Sequence, residues 1–111
     1  PIRTIDAFII GFIDGREGKT GKNLGLIGSL KVAVRDDKGI YHVANVSGMD
    51  DATRVEMSRN REALLGQVVE VEYQYVGAKG KLRHPRFKRM RDDKRWQDCL
   101  MDQDPELLEN Q

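Results

Sequence analysis

Cysteine occurs once in this 111-residue chain and histidine twice, and no apolar run approaches the length of a membrane span. The lone Cys99 has no partner for an internal disulfide, and His42 and His84 add too little to assemble a zinc ligand set. A membrane helix needs about 18 or more apolar residues in succession. The opening stretch PIRTIDAFIIGFIDG also lacks the charged-then-apolar pattern of a secretion signal. The expectation is a soluble, intracellular (cytoplasmic) monomer in a reducing compartment, with no membrane contact. Aromatic residues number seven (Phe8, Phe12, Phe87, Tyr41, Tyr73, Tyr75 and Trp96), and most fall at positions that read as interior. The initiating Met is missing as well, so the chain reads as processed or as a piece of a longer polypeptide.

What is present is enough for one small core and too little for two. Residues 2–14 are rich in Ile and Phe on both parities. Ile5, Ala7, Ile9, Gly11 and Ile13 share one parity and Phe8, Ile10 and Phe12 the other, as suits a long first strand bent at Gly11. Residues 15–25 then carry four Gly and three basic residues, a flexible electropositive loop.

Two chemical readings of that loop fail. Gly18-Lys19-Thr20 matches the end of a phosphate-binding P-loop, but that motif requires Gly where Ile13 stands and a helix where Gly21 follows. Asp14-Gly15-Arg16 matches the end of the nucleotidyltransferase K-x-D-G element, but the place of the nucleophilic lysine is taken by Phe12. A phenyl ring cannot attack phosphorus, so no covalent AMP forms there.

Residues 26–35 alternate as a half-buried strand with Lys31 and Arg35 on its outer face, Asp36 to Gly39 form a tight turn, and residues 40–47 return as its hairpin partner. His42 reads as an ordinary strand residue. An Asp after Gly48 can cap a helix over residues 52–65 that Gly66 ends, although Arg54, Arg59 and Arg61 break up its apolar stripe. That helix is expected to plug the barrel. In residues 67–76, Val69, Val71, Tyr73 and Tyr75 alternate with Glu70, Glu72 and Gln74, the clearest strand in the sequence, with an acidic outer face unsuited to DNA.

The charge is unevenly placed. Residues 79–95 hold nine Lys/Arg against two Asp in a chain of net charge +1. Such runs are often solvated faces, but here Arg83, Arg86, Lys88, Arg89 and Arg91 surround Phe87. That pattern reads as an anion-facing strand over 86–91, with Pro85 driving His84 toward an extended backbone. Residues 96–111 reverse the sign, with five acidic residues and no basic one. They read as a tail (97–111) beyond a domain spanning 1–96, partly helical or frayed, or as an acidic strip that screens the basic face until DNA displaces it.

The order of elements is all-β with one helix: a five-stranded Greek-key OB-fold barrel with the helix between strands 3 and 4, an SH3-like barrel being the alternative. Arg83-His84-Pro85-Arg86-Phe87, Arg89, and then Arg91-Asp92-Asp93-Lys94 resemble the last signature of ATP-dependent DNA ligases, the R-x-D-K element called motif VI. That element lies in the OB-fold domain following their nucleotidyltransferase domain. The resemblance covers residues 2 to 96.

It implies that Arg91 and Lys94 contact the β,γ-phosphates of ATP during enzyme adenylation, with Asp93 holding a basic side chain in place. It also implies that the domain then swings to present another face to nicked duplex DNA in replication or repair. The residues expected to meet DNA are Lys19 and Lys22 on the glycine loop, Lys31 and Arg35 on the second strand, and Arg83, Arg86, Lys88 and Arg89 in the basic run. ATP and Mg2+ belong to the full enzyme, with none bound by this domain alone. Lacking the nucleophilic lysine, the isolated chain is expected to be inactive. Two other readings stay open: a free-standing single-stranded nucleic-acid module, and the OB domain of an mRNA capping enzyme.

Overall fold

The structure, a computed structural model, describes residues 1–15 and 25–110. Its elements are β1 (Arg3–Asp14), β2 (Ile27–Arg35), β3 (Ile40–Val46), α1 (Asp51–Arg59), α2 (Arg61–Leu64), β4 (Val68–Tyr73), β5 (Tyr75–Val76), β6 (Leu82–Arg83), β7 (Arg86–Met90) and α3 (Pro105–Glu109). Single 3-10 turns at Trp96–Asp98 and Met101–Gln103 precede α3.

Five strands form one sheet in the order β3-β2-β1-β4-β7, every neighbouring pair antiparallel. A parallel bridge from Ser47 to Arg86, with the Phe87 N–H donating to the Ser47 carbonyl at 2.8 Å, ties the end of β3 to the start of β7 and closes the sheet. This is the expected Greek-key OB barrel, its helical segment between the third and fourth strands of the sheet. The barrel interior is aliphatic: Ile9, Ile27, Leu30, Val34, Val69 and Val71 are all fully buried. Each such side chain contributes about 1.5–3 kcal/mol by leaving water.

Four local expectations need correction. In β1 the register slips between Ile9 and Gly11, leaving Ile10 as an extra residue opposite β2. The bulge reverses the parity of the residues beyond it. Phe12, paired with Leu30, packs against the core, and Gly11, paired with Lys31, turns out. Second, the helix is interrupted at Asn60, whose N–H closes α1 on the Met57 carbonyl before α2 begins. Only Met57 of α1 is buried, so little apolar packing holds it. It is stapled to β2 by polar groups instead. Arg54 Nη1 donates to the carbonyls of Ile27 and Gly28 at 2.6 and 2.9 Å, and Ser58 Oγ accepts from the Ile27 N–H at 2.9 Å.

Third, β4 stops at Tyr73. The chain leaves the sheet at Gln74 to form a separate β5–β6 ribbon, in which Tyr75 pairs with Arg83 and Val76 with Leu82. Fourth, His84 is not extended. Its φ of +56° places it on the left-handed side, where the chain reverses between β6 and β7 with the Tyr75 ring edge-on to the imidazole.

Residues 96–110 pack across the outside of the barrel. Cys99, Met101 and Leu107 are buried. Cys99 forms a second small cluster with Phe8, Ala33 and Val68, and the Trp96 ring lies 5.5 Å from that of Phe8. This segment covers Phe8 on the outward parity of β1, whereas Ile10 stays exposed.

Candidate phosphate and nucleic-acid interface

Apart from Arg83, which lies on the β5–β6 ribbon, the described basic residues that the sequence singles out fall on the two sides of β1. On the β1–β2–β3 side the register sets Gly11, Lys31 and Asn45 in one row. Lys31 is exposed, its stem lying over Gly11, where an added Cβ would be 3.5 Å from Lys31 Cδ. Lys31 therefore presents its ammonium on an open strip. Arg35, further along the same strand, is committed elsewhere: its Nη1 donates to the Gln97 carbonyl at 3.0 Å and its own N–H to the Cys99 carbonyl at 2.8 Å. It clamps the C-terminal segment. Lys19 and Lys22 lie outside the described residues.

On the β1–β4–β7 side the basic strand is set against the acidic one. Glu70 pairs with Asp6 across one edge of β4 and with Arg89 across the other, and Glu72 pairs with Thr4 and Arg86 in the same way. Arg89 Nε donates to Glu70 Oε1 at 2.6 Å, and this hydrogen bond outweighs the partial burial of Glu70, holding its carboxyl below its usual value. The seven-charge excess of the linear run is thus partly cancelled across the strands. Among the described residues no ion pair involves Arg83, Arg86, Lys88 or Lys94, and all four are exposed.

Arg91 is the most tightly held cation of the group. Its Nε donates to Asp93 Oδ1 at 3.0 Å and its Nη2 to Asp93 Oδ2 at 2.9 Å, a two-point fork, while Nη1 donates to Asp6 Oδ1 at 3.2 Å. The side chain is 16% exposed. The Arg91 fork pulls the Asp93 carboxyl down to about 2, with a backbone N–H adding to the effect. A guanidinium has five N–H groups. Three are used here, so among the described residues one hydrogen on each Nη remains for an incoming anion.

Two acids of the C-terminal segment are engaged on β1. Asp104 and Glu106 bind Arg3, at 3.1 and 3.0 Å, on the far side of Asp6. Asp104 also accepts from the buried Tyr73 hydroxyl at 2.5 Å. Burial alone would raise the Asp104 carboxyl, but hydrogen bonds from Tyr73, the Glu106 N–H and Arg3 more than offset it and keep it below its ordinary value. Asp6 was not among the residues singled out from the sequence. It stands 85 positions from Arg91, and only strand pairing brings them together.

Among the described residues no group of three or more His, Cys, Asp or Glu is arranged to hold a metal ion. Among the described residues no helix is long and apolar enough to cross a membrane. The exposed aromatics are Tyr75 and Trp96, one on the ribbon and one on the C-terminal segment.

A closed five-stranded antiparallel barrel with a helical segment after its third strand defines an OB-fold domain. The profile of the DNA ligase OB-like domain matches residues 17–91, and the chain belongs to that family. Among solved structures, Pmar-Lig_Pre shares 28% identity with a TM-score of 0.68 over 83% of this chain and 22% of that one. The ligase domain of LigD from M. tuberculosis has a TM-score of 0.74 at 18% identity, covering 89% of this chain and 38% of that one. The Chlorella virus DNA ligase–adenylate has a TM-score of 0.62 at 22% identity, covering 84% and 32% respectively. The chain thus spans about a fifth to two fifths of the length of these structures. No curated protein sequence shows a significant match.

Proposed function

We propose that this domain works beside a nucleotidyltransferase domain in an ATP-dependent DNA ligase, gripping ATP phosphates through Arg91 and Lys94 and nicked duplex DNA through the Lys31 strip. The observation that carries the reading is the Arg91 guanidinium, fixed by two carboxylates while retaining donors for an anion. ATP and its Mg2+ belong with the neighbouring domain, which also supplies the lysine that this chain lacks.

In enzyme adenylation that lysine attacks the α-phosphorus and pyrophosphate departs, with negative charge building on the leaving group. Arg91 offers a rigid planar fork and Lys94 a compact ammonium, and both stabilise that charge more than the ground state. Asp93 keeps the fork oriented. For DNA, Lys31, Arg86 and Lys88 are exposed cations suited to backbone phosphates, which bind without regard to sequence. The test is single-turnover adenylation of the two-domain enzyme. Arg91→Ala and Lys94→Ala should each slow it by about tenfold or more. Unchanged rates in both variants would remove the phosphate-gripping role.

A further inference from the structure

We infer that Asp6 is a positioning residue for Arg91, and that the C-terminal segment sets Asp6 in place through Gln103. The inference rests on the reading of Arg91 as a phosphate ligand. The Asp93 fork comes from an exposed turn only two residues away, with its side chain 66% exposed, so by itself it gives Arg91 a single anchor that moves with that turn. Asp6 supplies a second point from a different strand. It is 19% exposed, lies on β1, and takes the Nη1 hydrogen that the Asp93 fork leaves.

Asp6 is itself pinned. Asp6 pairs with β4 on one side, but the pairing of β1 with β2 begins at Phe8, so among the described residues no strand covers its other edge. The Gln103 side chain fills that edge like a short strand. Its Oε1 accepts from the Asp6 N–H at 3.0 Å and its Nε2 donates to the Asp6 carbonyl at 2.9 Å, while also donating to the Leu100 carbonyl at 2.8 Å. The connection runs from the C-terminal segment through Gln103 and Asp6 to Arg91. Two carboxylates at fixed angles define the plane of the guanidinium, and the one hydrogen left on each Nη then points along a set direction.

The alternative role for Asp6 is competitive, a carboxylate that occupies Arg91 and must be displaced by phosphate. The two roles differ in what an amide does. Asn keeps an acceptor oxygen and drops the charge, so it preserves positioning and relieves competition.

The experiment is single-turnover adenylation of the two-domain enzyme against ATP concentration, with unfolding midpoints measured alongside. Asp6→Ala should raise the ATP needed for half-maximal rate by about five- to tenfold. Asp6→Asn should stay within about twofold of the parent, and Gln103→Ala should fall between the two. Should Asp6→Ala fold poorly, Asp6→Ser, too short to reach the guanidinium, is read instead. A normal ATP requirement in Asp6→Ala beside an impaired Arg91→Ala overturns the role of Asp6 and leaves that of Arg91. Faster charging in both Asp6 variants also overturns it, in favour of competition. A normal Arg91→Ala removes the reading underneath.

Discussion

The Tyr73 hydroxyl, at the end of β4, donates to the Asp104 carboxylate at the start of α3, and Arg3 of β1 reaches the same carboxylate oxygen at 3.1 Å. One buried acid therefore ties the last helix to two strands of the barrel. Tyr73→Phe removes a donor and leaves the acceptor buried, which should cost about 1–3 kcal/mol. A urea midpoint unchanged from the parent would show that the latch contributes nothing to stability.

The same acid sets a pH dependence. Its folded value lies below its ordinary one, so its contribution is present above the ordinary aspartate range and is lost as pH falls through the folded value. Asp104→Asn should be less stable than the parent at neutral pH, and the difference should shrink as the solution is acidified below the ordinary aspartate value. A gap that grows on acidification would contradict this sign.

Cys99 reports on the same segment. Burial, reinforced by the negative charges of Asp6 and Asp98, pushes its thiol up to about 12, and it has no exposed surface. Thiol reagents at pH 8 should react with the native protein far more slowly than with the unfolded chain. Trp96→Ala and Met101→Ala should raise the native rate by loosening the cover, whereas Arg83→Ala should not. Fast labelling of the parent would mean that residues 96–110 are not seated as described.

Gly28 meets backbone where a side chain would go. An added Cβ would lie 2.9 Å from Gly15 Cα and 3.0 Å from the Asp14 carbonyl oxygen, neither of which can rotate away. Gly28→Ala should destabilise by about 1–3 kcal/mol. Thermal melting reads it directly.

The basic residues should not count equally toward DNA. Arg89 is neutralised by Glu70, so Arg89→Ala should weaken binding to nicked duplex less than Lys31→Ala or Lys88→Ala does. Glu70→Gln should strengthen it by releasing the guanidinium. Titrations over a salt series should show a slope smaller by about 1 for each phosphate that a variant no longer grips. Equal losses for all three alanine variants would mean that the Glu70 pair opens on binding.

The barrel was legible because period-two alternation in residues 26–35 and 67–76, turn chemistry at Asp36 to Gly39 and a capping Asp after Gly48 are local signals, each decided within a few residues. The bulge at Ile10 was not, because an extra residue in an apolar strand changes no local preference and is settled by what the neighbouring strand allows. The left-handed His84 was hidden in the same way. Proline disfavours the helical region before it, and the reversal between β6 and β7 imposed a conformation that local preference does not predict.

By itself the sequence determined a single aliphatic barrel, the concentration of basic residues near its end, and Phe12 two residues before Asp14-Gly15, where a K-x-D-G element would carry lysine. Tertiary structure alone decided which of those cations are available. Across strands Glu70 meets Arg89, the C-terminal segment claims Arg35, and Asp6 reaches Arg91 from 85 residues away. A charge counted along the chain is an inventory, whereas the field an anion meets depends on which opposite charges folding sets beside each cation.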